Sequence, residues 1–213
     1  MNCSDFTGTL PASLRADCAR CAGLCCVVPA FYALQGFGFD KAAHSACRHL
    51  TPGNRCSIHD ERSARGFASC VGFDCHGAGQ RVTQELFAGA DWRASRDLAA
   101  RMFAAYESCF ALHRLIALLA VAELAIDQAQ CRGADIDLGG AAGAPPLKDQ
   151  LRAKREQLDE LCRSASTGMP RLDIATLQRE TYALIRLACP TQAVAAPART
   201  LRPAARPERG GAR

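Results

Sequence analysis

Cys18, Cys21, Cys25, Cys26, Cys47, Cys56, Cys70 and Cys75 put eight thiols between residues 18 and 75. A thiolate is a nucleophile, a redox group and a soft metal ligand, so this density points either to disulfides or to metal. The start, MNCSDFTGTLPASLRADC, carries no basic stretch followed by an apolar one, which argues against export and for a reducing, cytoplasmic setting. Stable disulfides are disfavoured there. Thiolate ligation of zinc or iron, an iron–sulfur cluster included, is the expected way to hold so many reduced cysteines together.

Cys18 and Cys21 have the CxxC spacing that lets two thiolates meet one metal while backbone amides of the turn hydrogen-bond to sulfur, and the small Ala22 and Gly23 keep that turn tight. Cys25 and Cys26 are adjacent. In an extended segment their side chains would point opposite ways, so they are expected to serve different ions, or one to ligate while the other packs. A vicinal disulfide is the strained alternative. Two four-thiolate sites are expected, with the first four cysteines giving two ligands to each and Cys47, Cys56, Cys70 and Cys75 the rest. A zinc ion bound by four thiolates leaves two negative charges, which Arg20, Arg48, Arg55, Arg62 and Arg65 could offset.

His59, three residues after Cys56, and His76, next to Cys75, could ligate or hydrogen-bond a ligand sulfur. A histidine in place of a cysteine would allow an open coordination position and so catalysis. His113 lies on a helical stripe and reads as packing; His44 and His49 read as solvated loop residues. Gly77-Ala-Gly79-Gln-Arg81 resembles part of a phosphate-cradling loop, but no buried strand precedes it, and it reads better as a helix start. No Ser/His/Asp set or apolar pair of acids stands out, so no catalytic residue is assigned. Cys109 and Cys162, single cysteines on apolar stripes, read as small core residues; Cys3, Cys131 and Cys189 are also isolated.

The elements that must position these thiols are short. Residues 14–80 hold too little periodic apolar sequence for a core of their own, so metal would supply much of their folding energy. Thr51-Pro52-Gly53-Asn54 predicts a short hairpin with Cys47 before it and Cys56 after it. Residues 81–190 read as a bundle of about four helices: an apolar stripe through Leu98, Met102, Ala105, Tyr106, Cys109, His113, Ile116 and Ala120, as one helix or two; a Gly/Ala/Pro linker over 133–146; a helix over 147–166; and a last helix capped by Asp173, stopping at Cys189-Pro190. The fold is therefore expected to be mainly α.

Residues 191–213, with Pro197, Pro203, Pro207 and five arginines, read as a disordered tail. Those arginines and Glu208 account for four of the five net positive charges among 213 residues, leaving a near-neutral body that argues against specific nucleic-acid binding. The longest apolar run, 115–122, is far short of the ~20 residues that cross a bilayer, and no membrane span is expected.

The order Cys18-x2-Cys21-x3-Cys25-Cys26, Cys47-Arg-His-Leu, Arg55-Cys56-Ser-Ile-His59, Cys70 and Phe73-Asp-Cys75 resembles the YkgJ-like family of small bacterial zinc- or iron-chelating cysteine-cluster domains, over roughly residues 14–80. Arg15-Ala-Asp-Cys-Ala-Arg-Cys-Ala-Gly-Leu-Cys-Cys, Arg65-Gly-Phe and Phe73-Asp-Cys-His-Gly-Ala-Gly-Gln-Arg-Val also look like the front region of certain bacterial proteins called pentapeptide-repeat-containing. No run of such pentads follows residue 80, so the functions of those repeats do not carry over. The resemblance implies metal binding and supplies no defined reaction. A structural or metal-handling protein acting through protein contacts is the leading expectation. The alternatives are an iron- or iron–sulfur-dependent enzyme acting on redox or protein substrates, and a sensor of metal or oxidants in which Cys25 or Cys26 releases its metal.

Overall fold

The computed structural model describes residues 10–131, 145–164 and 172–188. The tail over 191–213, Cys3, Cys189 and all of the linker but Pro145 and Pro146 lie outside them. The described chain is mainly α, without a strand. Five helices run in the order α1 Ala68–Val71, α2 Ala78–Gln80, α3 Arg96–Cys131, α4 Leu147–Arg163 and α5 Ile174–Ala188. A π-helical turn, Arg81–Leu86, extends α2.

The stripe read as one helix or two is one helix of 36 residues, α3. Neither glycine nor proline interrupts it, and its many alanines favour helix at every turn. Ser95 opens it, with its hydroxyl oxygen accepting from Leu98 N at 3.1 Å. Pro145 and Pro146 end the preceding chain, and the Pro146 carbonyl accepts the first amides of α4, from Asp149 and Gln150. Asp173 caps α5 as its sequence suggests, accepting from Thr176 N at 3.0 Å.

The three long helices bury one core. Met102, Leu112, Leu115, Leu119 and Ile126 of α3 meet Leu151 and Leu158 of α4, while Ile185 comes from α5. By length and composition α3 could cross a membrane, yet most of that stretch is buried within the protein as the central helix of the core. At the helix margins Arg155 Nε donates to Glu123 Oε1 at 2.8 Å, and Lys148 pairs with Asp127.

The front of the chain shares this core. Ala22, Leu24, Val27 and Val28 are buried in the same cluster as α3. A second, smaller core joins Phe31, Phe37 and Cys47, where the Phe31 and Phe37 rings stack at 4.6 Å. The expected hairpin is present in short form: Leu50 bridges Cys56 antiparallel, Thr51 N donates to Arg55 O at 2.8 Å, and Ser57 N to His49 O at 2.8 Å. A second bridge, Phe31 to Lys41, closes the loop before it.

Lys41 is the polar centre of that loop. Its ammonium is surrounded by the carbonyls of Val27 at 3.0 Å, Pro29 at 2.6 Å, Ala42 at 3.1 Å and Ser45 at 2.8 Å. It also lies 4.5 Å from the centre of the Phe31 ring. Only 8% of the residue is exposed, so a single charge organises backbone that helix and sheet leave unpaired.

Arg81 ties the π-helical turn to α4 by an ion pair with Asp159, itself paired with Arg163. Burial pushes the Asp159 carboxyl upward, but the hydrogen bond and charge of Arg81, aided by Arg163, hold it below its ordinary value. A carboxylate of lowered folded pKa stabilises above its unfolded pKa, about 3.9, and that stability is lost as pH falls through the folded value. Asp159→Asn should therefore cost about 2 kcal/mol at pH 7. Thermal melts of the two proteins should converge at acid pH, and an unchanged gap there would refute this account.

Candidate metal centre

All eight clustered cysteines line one cavity of about 330 Å³, together with aromatic side chains that include Phe31, Phe37, Phe67 and Phe73. Short elements bring them there. Cys18 opens the 3-10 turn Cys18–Arg20, whose cap Asp17 accepts from Ala19 N at 2.9 Å. Cys21 follows it. Gly23, with φ of 72°, turns the chain into a second 3-10 turn, Leu24–Cys26. Cys47 and Cys56 flank the hairpin, Cys70 lies on α1, and Cys75 precedes α2.

Cys25 and Cys26 are thus on a 3-10 turn and not on extended chain, a correction to the expected local form. Successive side chains there diverge by about 120°. The two thiols are hydrogen-bonded to each other and face different neighbours. Cys25 interacts with Cys21 and Cys75, while Cys26 acts on Cys47, Cys56 and Cys70. Cys75 also senses Cys18. Cys18 acts on both Cys75 and Cys56, so it stands between the two sets of neighbours.

Backbone amides point at four of the sulfurs. His49 N donates to Cys47 Sγ at 3.4 Å, and the amides of Ile58 near Cys56, of Gly23 and Leu24 near Cys21, and of Gly77 and Gly79 near Cys75 each pull the thiol down. Most of these amides lie two residues after their cysteine, the geometry of a metal-binding knuckle, and each favours the thiolate over the thiol. Gly79 is needed for another reason: a Cβ there would lie 2.6 Å from Cys21 Sγ and 3.9 Å from Cys75 Sγ.

Burial raises the thiols of Cys21, Cys47, Cys56 and Cys75, and carries Cys70 to about 11. Cys25 is raised chiefly by its bond to Cys26, and Cys26 is lowered by the same bond, with further help from the charges of Lys41 and Arg62. Of the pair, Cys26 is the sulfur whose thiolate is the more favoured. Among the described residues, no group of three or more His, Cys, Asp or Glu side chains is closed tightly enough to hold a metal ion. The sulfurs line the cavity wall and are not drawn into a ligand set.

Of the arginines expected to balance thiolate charge, Arg62 is the one that acts on Cys26, Cys56 and Cys70, and it donates to the Cys70 carbonyl at 2.8 Å. Arg48 lies over the Phe39 ring at 3.8 Å and Arg65 pairs with Glu61 at 2.7 Å. Lys41, which sequence reasoning missed, supplies a second cation toward Cys26 and Cys47.

Among the histidines, His59 lines the cavity but engages Asp60 at 2.9 Å and Arg62 at 3.1 Å. His49, read as solvated, also lines the cavity and packs edge-on against Phe39 and Phe67. His44 pairs with Glu107 at 2.9 Å. His76 is away from the cavity wall, and its carbonyl accepts from the buried His113 Nδ1 at 2.6 Å. Gly77 to Arg81 serves as the helix start expected of it, turning its amides to Cys75.

Tyr106 of α3 was noted only as part of a stripe. Its hydroxyl is buried without a hydrogen-bond partner, and its ionisation is opposed by burial and by Cys25, Cys75, Cys21 and Cys26. An orphaned phenol facing sulfurs, together with amides already aimed at them, fits anionic thiolates there.

No protein-family model matches the chain, and no solved structure matches it. Over 161 residues the chain is 34% identical to the uncharacterized protein YybG of Bacillus subtilis (strain 168), an alignment that takes in 76% of this chain. It spans about half, 52%, of that relative's length.

Proposed function

We propose that the chain is a cytoplasmic metal-binding protein of the YkgJ-like kind, whose eight clustered cysteines hold zinc or iron in two four-thiolate sites. The role is structural or metal-handling, exercised through contacts with a protein partner. The observation that carries this reading is the convergence of all eight thiols on one cavity. The amides aimed at four sulfurs, the orphaned Tyr106 hydroxyl and the nearby charges of Lys41 and Arg62 support it, because each stabilises thiolate in a buried place. Bound metal would supply positive charge and draw in a wall that burial alone leaves protonated.

A second reading, an iron-dependent redox or protein-modifying enzyme, is favoured by the breadth of the cavity and its aromatic walls, which exceed the needs of bare ions.

Anaerobic purification followed by elemental analysis and a visible spectrum tests both. About two equivalents of colourless zinc per chain would agree with the first reading, and iron with sulfur-to-iron absorption with the second. Cys21→Ser should lower the metal content and loosen the segment around it. Metal-free protein that is fully folded as isolated would sink the proposal.

A further inference from the structure

Cys109 of α3 and Cys162 of α4 are both completely buried and face each other across the helix interface, each thiol acting on the other. Cys109 Sγ also lies 3.7 Å from the Cys162 carbonyl. Both sit in the hydrophobic core, as expected of them, but one side of the pair is roofed by charge and imidazole. His113, one turn along α3 from Cys109, and the Arg81 guanidinium both act on the Cys162 sulfur. His113 Nδ1 donates to the His76 carbonyl at 2.6 Å, which leaves Nε2 as an acceptor for Arg81 Nη1, 3.4 Å away. Cys162 is accordingly held down to about 6, chiefly by Cys109 and then by His113 and Arg81.

A separate cavity of about 160 Å³ reaches this roof. Its lining includes Arg81, His113, Asp159, Arg155, Ile116 and Leu14. That volume admits a few molecules of water size, so a small neutral oxidant has a place to wait beside the Arg81 and His113 side chains that roof Cys162.

We infer that Cys109 and Cys162 are a redox-convertible dithiol, oxidised by hydrogen peroxide to a disulfide that links α3 to α4. The Cys162 thiolate attacks one peroxide oxygen, so that an S–O bond forms, the O–O bond breaks, and the departing hydroxide takes up a proton as water. Cys109 sulfur then attacks the resulting sulfenic acid; an S–S bond forms, the S–O bond breaks, and the oxygen leaves as a second water with the Cys109 proton. Two thiols lose two electrons and two protons, and one peroxide becomes two waters. The Arg81 charge favours the thiolate of the first step. The inference is independent of the metal reading, since neither cysteine lines the larger cavity.

The test uses the full chain as isolated, treated with peroxide, quenched, unfolded in the presence of an alkylating agent, digested and examined by mass spectrometry. The expected result is a peptide pair joined through Cys109 and Cys162, two hydrogens lighter than its reduced parts and restored by dithiothreitol. In Cys109→Ala the second step is lost, and Cys162 should be trapped as sulfenic acid by a dimedone-type reagent. Recovery of both residues as alkylated thiols in the wild-type chain, under conditions that oxidise the clustered cysteines, would overturn the inference.

Discussion

Gly79→Ala is expected to remove about one equivalent of metal while leaving the rest of the protein folded. Gly79 lies in α2 with ordinary helical backbone, where alanine is intrinsically better by ~1 kcal/mol. The added Cβ, however, would stand 2.6 Å from Cys21 Sγ, closer than real carbons approach. The clash falls on the end of a one-bond side chain, which can rotate away at small cost to the fold. Rotation takes the sulfur off the amides of Gly23 and Leu24 and out of line with Cys18, Cys25 and Cys75. Metal analysis beside a thermal melt separates the two effects. Undiminished metal in Gly79→Ala would show that Cys21 is not a ligand.

Lys41→Met should be the costliest single change outside the long helices. Methionine keeps the aliphatic stem on Phe31 but leaves the carbonyls of Val27, Pro29, Ala42 and Ser45 without their common donor. The Ala42 carbonyl keeps the Ser45 hydroxyl, but the others, one buried and two partly buried, lose their donor, at a cost of about 3–5 kcal/mol out of the ~5–15 kcal/mol that keeps a domain folded. At 2–4 °C per kcal/mol for a chain of this size, the melting temperature should fall by about 10 °C. Cys26 would also lose a cation that lowers it, so its alkylation at neutral pH should slow. A melt within two degrees or so of the parent would mean that water replaces the ammonium.

Much of the scaffold was legible because local chemistry set it. Thr51-Pro52-Gly53-Asn54 can only turn, and it does; Asp173 announces α5, and the leucines of α4 fall on its buried face. The extent of α3 was harder to read, since alanine and leucine on nearly every side blur the periodicity that would distinguish one helix from two. The clustered cysteines were visible as types and spacings, but the directions of Cys25 and Cys26 were not, because they turn on whether residues 24–26 are extended or coiled into a 3-10 turn. Lys41 gave no signal at all: its partners are backbone carbonyls, which every sequence has. Cys109 and Cys162 are 53 residues apart and become neighbours only when α4 folds back along α3.

Leu24, Val27 and Val28 are sealed into the same interior as α3, so the sulfur-bearing segment is not a detachable cap. Cutting near residue 80 would strip an apolar flank from the long helix and give sticky, poorly behaved halves. It follows that whatever fills or empties the thiol-lined chamber is felt by the helices as well, and the whole assembly should melt in one step.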